Sequence, residues 1–154
     1  GAAVSSGADG TARVWPLERG TARIVILLHE GADGAASPAV LSVSIDQDTV
    51  ATGAADGLVR IWSHTRGTLT RSFQGHTAAV TCVRLHGALV VSGSADSTVR
   101  VWTLEGDGAC VTSFSPNHRV FGVAHSLLGL IATVGGAANG DEKDRLILWR
   151  PMGS

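Results

Sequence analysis

The chain has 154 residues, is 44% hydrophobic and 16% charged, and carries a formal net charge of −1. That composition suits one packed domain and argues against a disordered segment. Acids and bases are interspersed, which excludes the electrostatic footprint of a nucleic-acid or membrane-surface binder. The longest apolar stretch, residues 127–138, is too short and too rich in glycine to span a bilayer, and no signal or transit segment is visible. Two cysteines, Cys82 and Cys110, do not make a disulfide framework. Cys82 sits in an apolar run and reads as a small core residue. The expected setting is intracellular, cytoplasmic or nuclear.

In chain order the elements are short strands with turn punctuation. The first two strands lie within residues 4–15, joined by the tight-turn dipeptide Asp9-Gly10, and the β-branched run Ile24-Val25-Ile26 follows as an outer strand. Residues 31–37 read as a loop insertion. Residues 51–62 repeat the first pattern around Asp56-Gly57. Strands are then expected at 79–85, 89–92, 98–102 and 110–114, with Gly87, Gly106 and Gly108 marking turns. The last strands lie at 131–136 and 145–149, separated by a polar insertion at 139–143.

These segments are copies of one another. The four tryptophans, Trp15, Trp62, Trp102 and Trp149, are separated by 47, 40 and 47 residues. In the first three copies an Asp (Asp9, Asp56, Asp96) stands six residues before the Trp, an Ala precedes that Asp, and an Arg stands two before the Trp. The fourth copy is looser, with Asp144 five before Trp149. A period near 40 residues that ends in Trp is the signature of a β-propeller, an all-β fold of four-stranded antiparallel blades. Units fall at roughly 1–29, 38–73, 76–114 and 118–150, with no inner strand before Val4 and no outer strand after Trp149. The strand count by blade is then three, four, four and three.

Gly75-His76, then Asp96, then Trp102 resembles the Gly-His…Asp…Trp frame of the WD40 repeat in order and spacing. The departures are that no Trp is followed by Asp and that only one Gly-His pair occurs. The resemblance implies a WD40 β-propeller acting as a protein-interaction scaffold, without catalysis. Rings of this kind close with more blades than four, so residues 1–154 are expected to form a single propeller segment, half of a larger ring. Its open edges would be completed by a longer parent chain or by self-association. The start at Gly1 and the single methionine, Met152, favour a piece of a longer chain.

His76, Ser92 and Asp96 could be mistaken for a catalytic triad. The resemblance assigns them, with Trp102, to a structural hydrogen-bonded relay, because a buried carboxylate and imidazole are costly unless paired. It extends the relay to Ser5, Asp9 and Trp15, to Thr52, Asp56 and Trp62, and to Thr133, Asp144 and Trp149. His29 and His118 are candidates for the missing histidines. No oxyanion or cleft motif supports a propeller-borne enzyme, the remote alternative. The six histidines are scattered singly and no Cys-x-x-Cys occurs, so neither metal nor cofactor is expected. Asp141-Glu142 with Asp144 reads as a solvated charged turn.

Protein or peptide partners are expected on the face that carries the Asp turns. The resemblance places Leu41, Ala55, Thr81, Ala95, Arg119, Phe121 and Lys143 on its rim. The segment from Val80 to Ser94 is similar to F-box/WD-repeat substrate receptors of ubiquitin ligases, the alternative function. Those read phosphorylated peptides with arginines at the rim, where this chain has mostly Ala, Leu and Thr.

Overall fold

In a computed structural model the residues described are 1–17, 24–31, 35–116, 118–125, 131–136 and 145–149. They form fourteen strands in four antiparallel sheets and no helix. The first blade holds β1 (Ala2–Ser6), β2 (Thr11–Pro16) and β3 (Val25–Leu28). The second holds β4 (Val40–Asp46), β5 (Thr49–Ala54), β6 (Val59–Ser63) and β7 (Thr68–Phe73). The third holds β8 (Val80–His86), β9 (Leu89–Ser94), β10 (Val99–Thr103) and β11 (Cys110–Phe114). The fourth holds β12 (Arg119–His125), β13 (Ile131–Gly136) and β14 (Arg145–Trp149). Each sheet is a meander, so every strand pairs with its neighbour in sequence. This all-β architecture of blades with three, four, four and three strands is the one the tryptophan period predicts.

The pleat decides how the blades stack. In the second blade Val50 pairs with Trp62 and Thr52 with Arg60, which puts those four on one face; Ala51 with Ile61 and Gly53 with Val59 fall on the other. Three apolar clusters follow, one at each junction of consecutive blades. Ala12, Val14 and Leu27 of the first blade meet Val50 and Trp62 of the second. Ala51, Val59, Ile61 and Phe73 of the second meet Val83, Val90 and Trp102 of the third. Val91, Val99 and Val101 of the third meet Val120, Val123 and Ile131 of the fourth. Each tryptophan so placed packs on the blade before it, and Phe73 stacks on Trp102 with ring centroids 5.1 Å apart. Blades covered on both faces carry apolar residues on both, which explains the near-continuous burial of β5 and β6.

Two further devices fix the stacking. Gly53 and Gly93 stand at equivalent places where the next blade's Val80 and Val120 press against the backbone, leaving no room for a Cβ. Ser42 and Ser44 of β4 accept the amide hydrogens of Val83 and Leu85 of β8 at 3.1 Å, and Asp46 accepts that of Gly87 at 2.7 Å. Side chains of one inner strand thus satisfy the free backbone edge of the next. The alternation Ser42-x-Ser44-x-Asp46 was the available sequence signal for this.

Candidate functional site: buried relays and the bulged rim

The turn between the second and third strands of a full blade is built the same way in three blades. Asp9, Asp56 and Asp96 each accept the amide of the residue two further on (Thr11, Leu58 and Thr98) at 3.1, 3.1 and 2.8 Å. Gly10, Gly57 and Ser97 follow in the left-handed region, with φ of 77°, 81° and 65°. Glycine adopts that conformation freely; Ser97 does so under strain.

In the third blade the relay is continuous. Trp102 Nε1 donates to Ser92 Oγ at 2.8 Å, Ser92 Oγ lies 2.8 Å from His76 Nε2, and His76 Nδ1 lies 2.9 Å from Asp96 Oδ2. The Asp96 carboxylate can only accept, so the imidazole proton sits on Nδ1 facing it, and Nε2 accepts from the Ser92 hydroxyl. Burial lowers the His76 pKa, against the pull of Asp96. Asp96 is opposed by burial too, yet bonds from Thr98, Thr77 and His76 hold its carboxyl down at about 2. Ser92 is fully buried and its hydroxyl is committed at both ends. A hydroxyl so held ties the Trp102 indole to the His76 ring.

The second blade is wired differently. Trp62 Nε1 donates to Thr52 Oγ1 at 2.9 Å, and Thr52 Oγ1 lies 2.8 Å from His29 Nε2. His29 does not reach Asp56. Arg60 stands between them, with one nitrogen 3.0 Å from His29 Nδ1 and another 2.7 Å from Asp56 Oδ2. A guanidinium only donates, so Nδ1 must accept and the imidazole proton sits on Nε2. The two histidines hold opposite tautomers. Desolvation, with the charge of Arg60, lowers the His29 pKa to about 4. The relay expected from Thr52, Asp56 and Trp62 therefore needs an arginine that carried no role in the sequence reading, although Arg two before each Trp was a visible repeat.

The first blade carries only part of the set. Trp15 Nε1 donates to Ser5 Oγ at 2.9 Å, while Asp9 pairs with Arg13 at 2.7 Å. No described residue joins Asp9 to Ser5, and Trp15 is 41% exposed where Trp62 and Trp102 are 5% and 3%. In the fourth blade His118 and Thr133 are buried, and His118 Nδ1 bonds the Pro116 carbonyl at 3.0 Å. Neither His118 Nε2 nor Thr133 Oγ1 has a partner among the described residues. Asp144, Lys143 and the Asp141-Glu142 turn lie outside the described residues, as does the side chain of Trp149. Among the described residues no cluster of His, Cys, Asp or Glu could hold a metal ion.

The inner strands carry the rim. Each has a bulge at the same place: the register skips between Val40 and Ser42, between Val80 and Cys82, and between Val120 and Gly122. The residues thrown out of the ladder are Leu41, Thr81 and Phe121, forty apart, one per blade. Leu41 is 44% and Phe121 55% exposed. Thr81 between them is half-buried; its hydroxyl donates to the Gly93 carbonyl at 3.1 Å and also contacts the Val120 carbonyl. Arg119 and Ala55 are exposed and Ala95 is half-buried.

The family model of the WD40 repeat (WD domain, G-beta repeat) matches residues 29–63 and 67–103. These two stretches carry WD40 repeats. The chain is 32% identical over 102 residues to Mitochondrial division protein 1 of Chaetomium globosum and 33% identical over 82 residues to Autophagy-related protein 16 of Arabidopsis thaliana. Each match takes in 53% of this chain and 15% of the relative. Among solved structures, the computationally designed Ika8 protein aligns with TM-score 0.75 and 30% identity, over 97% of this chain and 42% of that one. The designed Ika4 protein aligns with TM-score 0.72 and 29% identity, over 97% and 84%. U3-55K, at 21% identity and TM-score 0.74 over 97% of this chain and 48% of that one, shares the fold.

Proposed function

We propose that the chain is a protein-interaction scaffold that presents its bulged inner-strand ends to a peptide or protein partner. The observation that supports this most is the recurrence of the bulge: three consecutive blades spend an irregularity to lift residue 41, 81 or 121 out of the sheet. Two of the three are large apolar side chains left in solvent, the type that anchors interfaces. Arg119, exposed beside Phe121, supplies a positive charge at the rim. The remaining polar groups of the relays are internally paired in the third blade and have little to offer a ligand. The ubiquitin-ligase receptor reading would require a phosphorylated peptide, for which the described rim provides Arg119 alone among the residues assigned to it. Both cysteines are unbridged, which supports an intracellular setting.

Calorimetry with a panel of apolar and doubly phosphorylated peptides tests the reading. Leu41→Ala and Phe121→Ala should each weaken an apolar peptide about tenfold or more, without a shift in unfolding midpoint. Tight phosphopeptide binding that survives Arg119→Ala together with Lys143→Ala would show the electrostatics of this reading to be wrong.

A further inference from the structure

Trp62 and Trp102 hold equivalent places but are covered differently. Phe73 stacks on Trp102 with centroids 5.1 Å apart and planes 4° from parallel, and the Arg100 guanidinium lies 5.9 Å from the ring centre. Arg100 can lie there because the carboxylate of Asp96 is taken up by His76, Thr77 and Thr98. At the second blade both covers are missing. Leu27 stands in place of Phe73, since Ala12, three before Trp15, pairs with Leu27 as Val59, three before Trp62, pairs with Phe73. Arg60, the equivalent of Arg100, is held between His29 and Asp56 instead. His29 meets Trp62 at 5.3 Å with a 36° tilt, but among the described residues no ring stacks on this indole and no cation lies over it. A cleft of about 820 Å³ opens here, with Arg60, Trp62, Leu69 and Ser72 on one wall and Glu30 and Pro38 of the connection on the other. The first wall belongs to a complete four-stranded blade that has a neighbour on either side.

We propose that this cleft takes an arginine side chain of a protein partner, laid against Trp62 as Arg100 is laid against Trp102. It is a second docking point, apart from the bulged rim, and rests on the scaffold reading in requiring a protein partner. Three observations select the occupant. The third blade shows which group covers the indole where the position is filled, and that group is a guanidinium. The charge of the lining also favours a cation. Asp56 offsets Arg60 at 2.7 Å, so Glu30, exposed and without a partner among the described residues, is the surplus charge. Leu69, 49% exposed, and Pro38 give the aliphatic stem of such a side chain an apolar wall. A lysine matches the charge but has neither the planar stacking nor the forked donors that suit an indole beside a carboxylate. An acidic or phosphorylated group would face Glu30 and be repelled.

Titration of the chain with capped Ala-Arg-Ala, Ala-Lys-Ala and Ala-Gln-Ala tripeptides tests this, read at the indole N–H signals in proton–nitrogen correlation spectra. The arginine peptide should shift the Trp62 signal saturably and leave Trp102, already covered, in place. The lysine peptide should bind more weakly and the glutamine peptide should cause no shift at the same concentration. Glu30→Gln should weaken the arginine peptide at least about threefold. Ser72→Trp, on the outer strand β7, should fill the cleft and abolish the Trp62 shift. Both positions are exposed, and urea melts show whether the variants are folded. An arginine peptide that leaves Trp62 unmoved overturns the proposal. So does an equal response to the arginine and glutamine peptides, which would mean that the cleft takes only apolar surface, or binding that Glu30→Gln leaves intact. Loss of arginine binding in Ser72→Trp, with peptides still held at Leu41 and Phe121, would confirm two separate sites; failure at the cleft alone leaves the rim reading standing.

Discussion

His29 makes acid sensitivity a quantitative test of the second-blade relay. In the fold it is fully buried, wedged between the Thr52 hydroxyl and the Arg60 guanidinium, and its pKa falls from an ordinary 6.5 to about 4. The unfolded chain therefore binds the proton more readily than the folded one. The stability this group contributes is complete above about pH 6.5 and is lost as pH falls toward 4. Protonation would also put a hydrogen on Nδ1, where Arg60 already donates. Moving from about pH 7.5 to about pH 4.5 should cost about 2.5 kcal/mol through this one group. The assay is urea unfolding at several pH values, for the wild-type chain and for His29→Gln. The variant should be less stable at neutral pH but should lose about 2 kcal/mol less than wild type across the interval. If the two chains lose stability in parallel, His29 is not held neutral and the relay is misassigned.

Three other substitutions probe the same framework by urea or thermal unfolding. Asp96→Ala strands the Thr77 and Thr98 amides and the His76 Nδ1 hydrogen and should cost about 1–3 kcal/mol; an unchanged midpoint would contradict the relay. Ser97→Gly should stabilise by about 0.5 kcal/mol, because relief of the left-handed strain at φ 65° outweighs the larger entropy of glycine in the unfolded chain. Gly93→Ala puts a Cβ against Val120 and within 2.7 Å of Cys82 Sγ and should cost about 1–3 kcal/mol; a neutral result would show that the third and fourth blades are less tightly stacked.

The fold was legible because the repeat is carried by residues whose reasons are local. An Asp before Gly makes the same turn wherever it occurs, and alternating β-branched residues make the strands on either side. Strand limits came within a residue or two, and β11 was read at its observed bounds, Cys110–Phe114. The relay was less legible, because its wiring depends on what reaches across between blades. His29 and His76 precede their strands in similar fashion, yet one meets an arginine and the other a carboxylate. Nothing in the spacing of either histidine distinguishes a 3.0 Å contact with Arg60 from a 2.9 Å contact with Asp96. The bulges were invisible for a related reason. Sequence places Leu41, Thr81 and Phe121 at equivalent positions, but only the register skip shows that they leave the ladder.

The same logic explains why a repeat can keep its fold while its polar network drifts. What each blade requires from its neighbour is apolar cover for the tryptophan face and a glycine notch for the inner strand. Trp62 and Trp102 both have the apolar cover, Gly53 gives the inner strand of the third blade its notch, and each indole finds a hydroxyl acceptor inside that cover. Once the hydroxyl is buried it needs a second partner, and a histidine from the preceding connection is within reach. Beyond that imidazole, either a carboxylate or an arginine–carboxylate pair satisfies the remaining nitrogen, and the tautomer adjusts to whichever is present. The first blade shows what happens where the cover is open. Ser5 and Trp15 still bond though both are exposed, and Arg13 pairs with Asp9 as Arg60 does with Asp56. Packing comes first in this molecule, and the relay is the set of hydrogen bonds that packing then obliges.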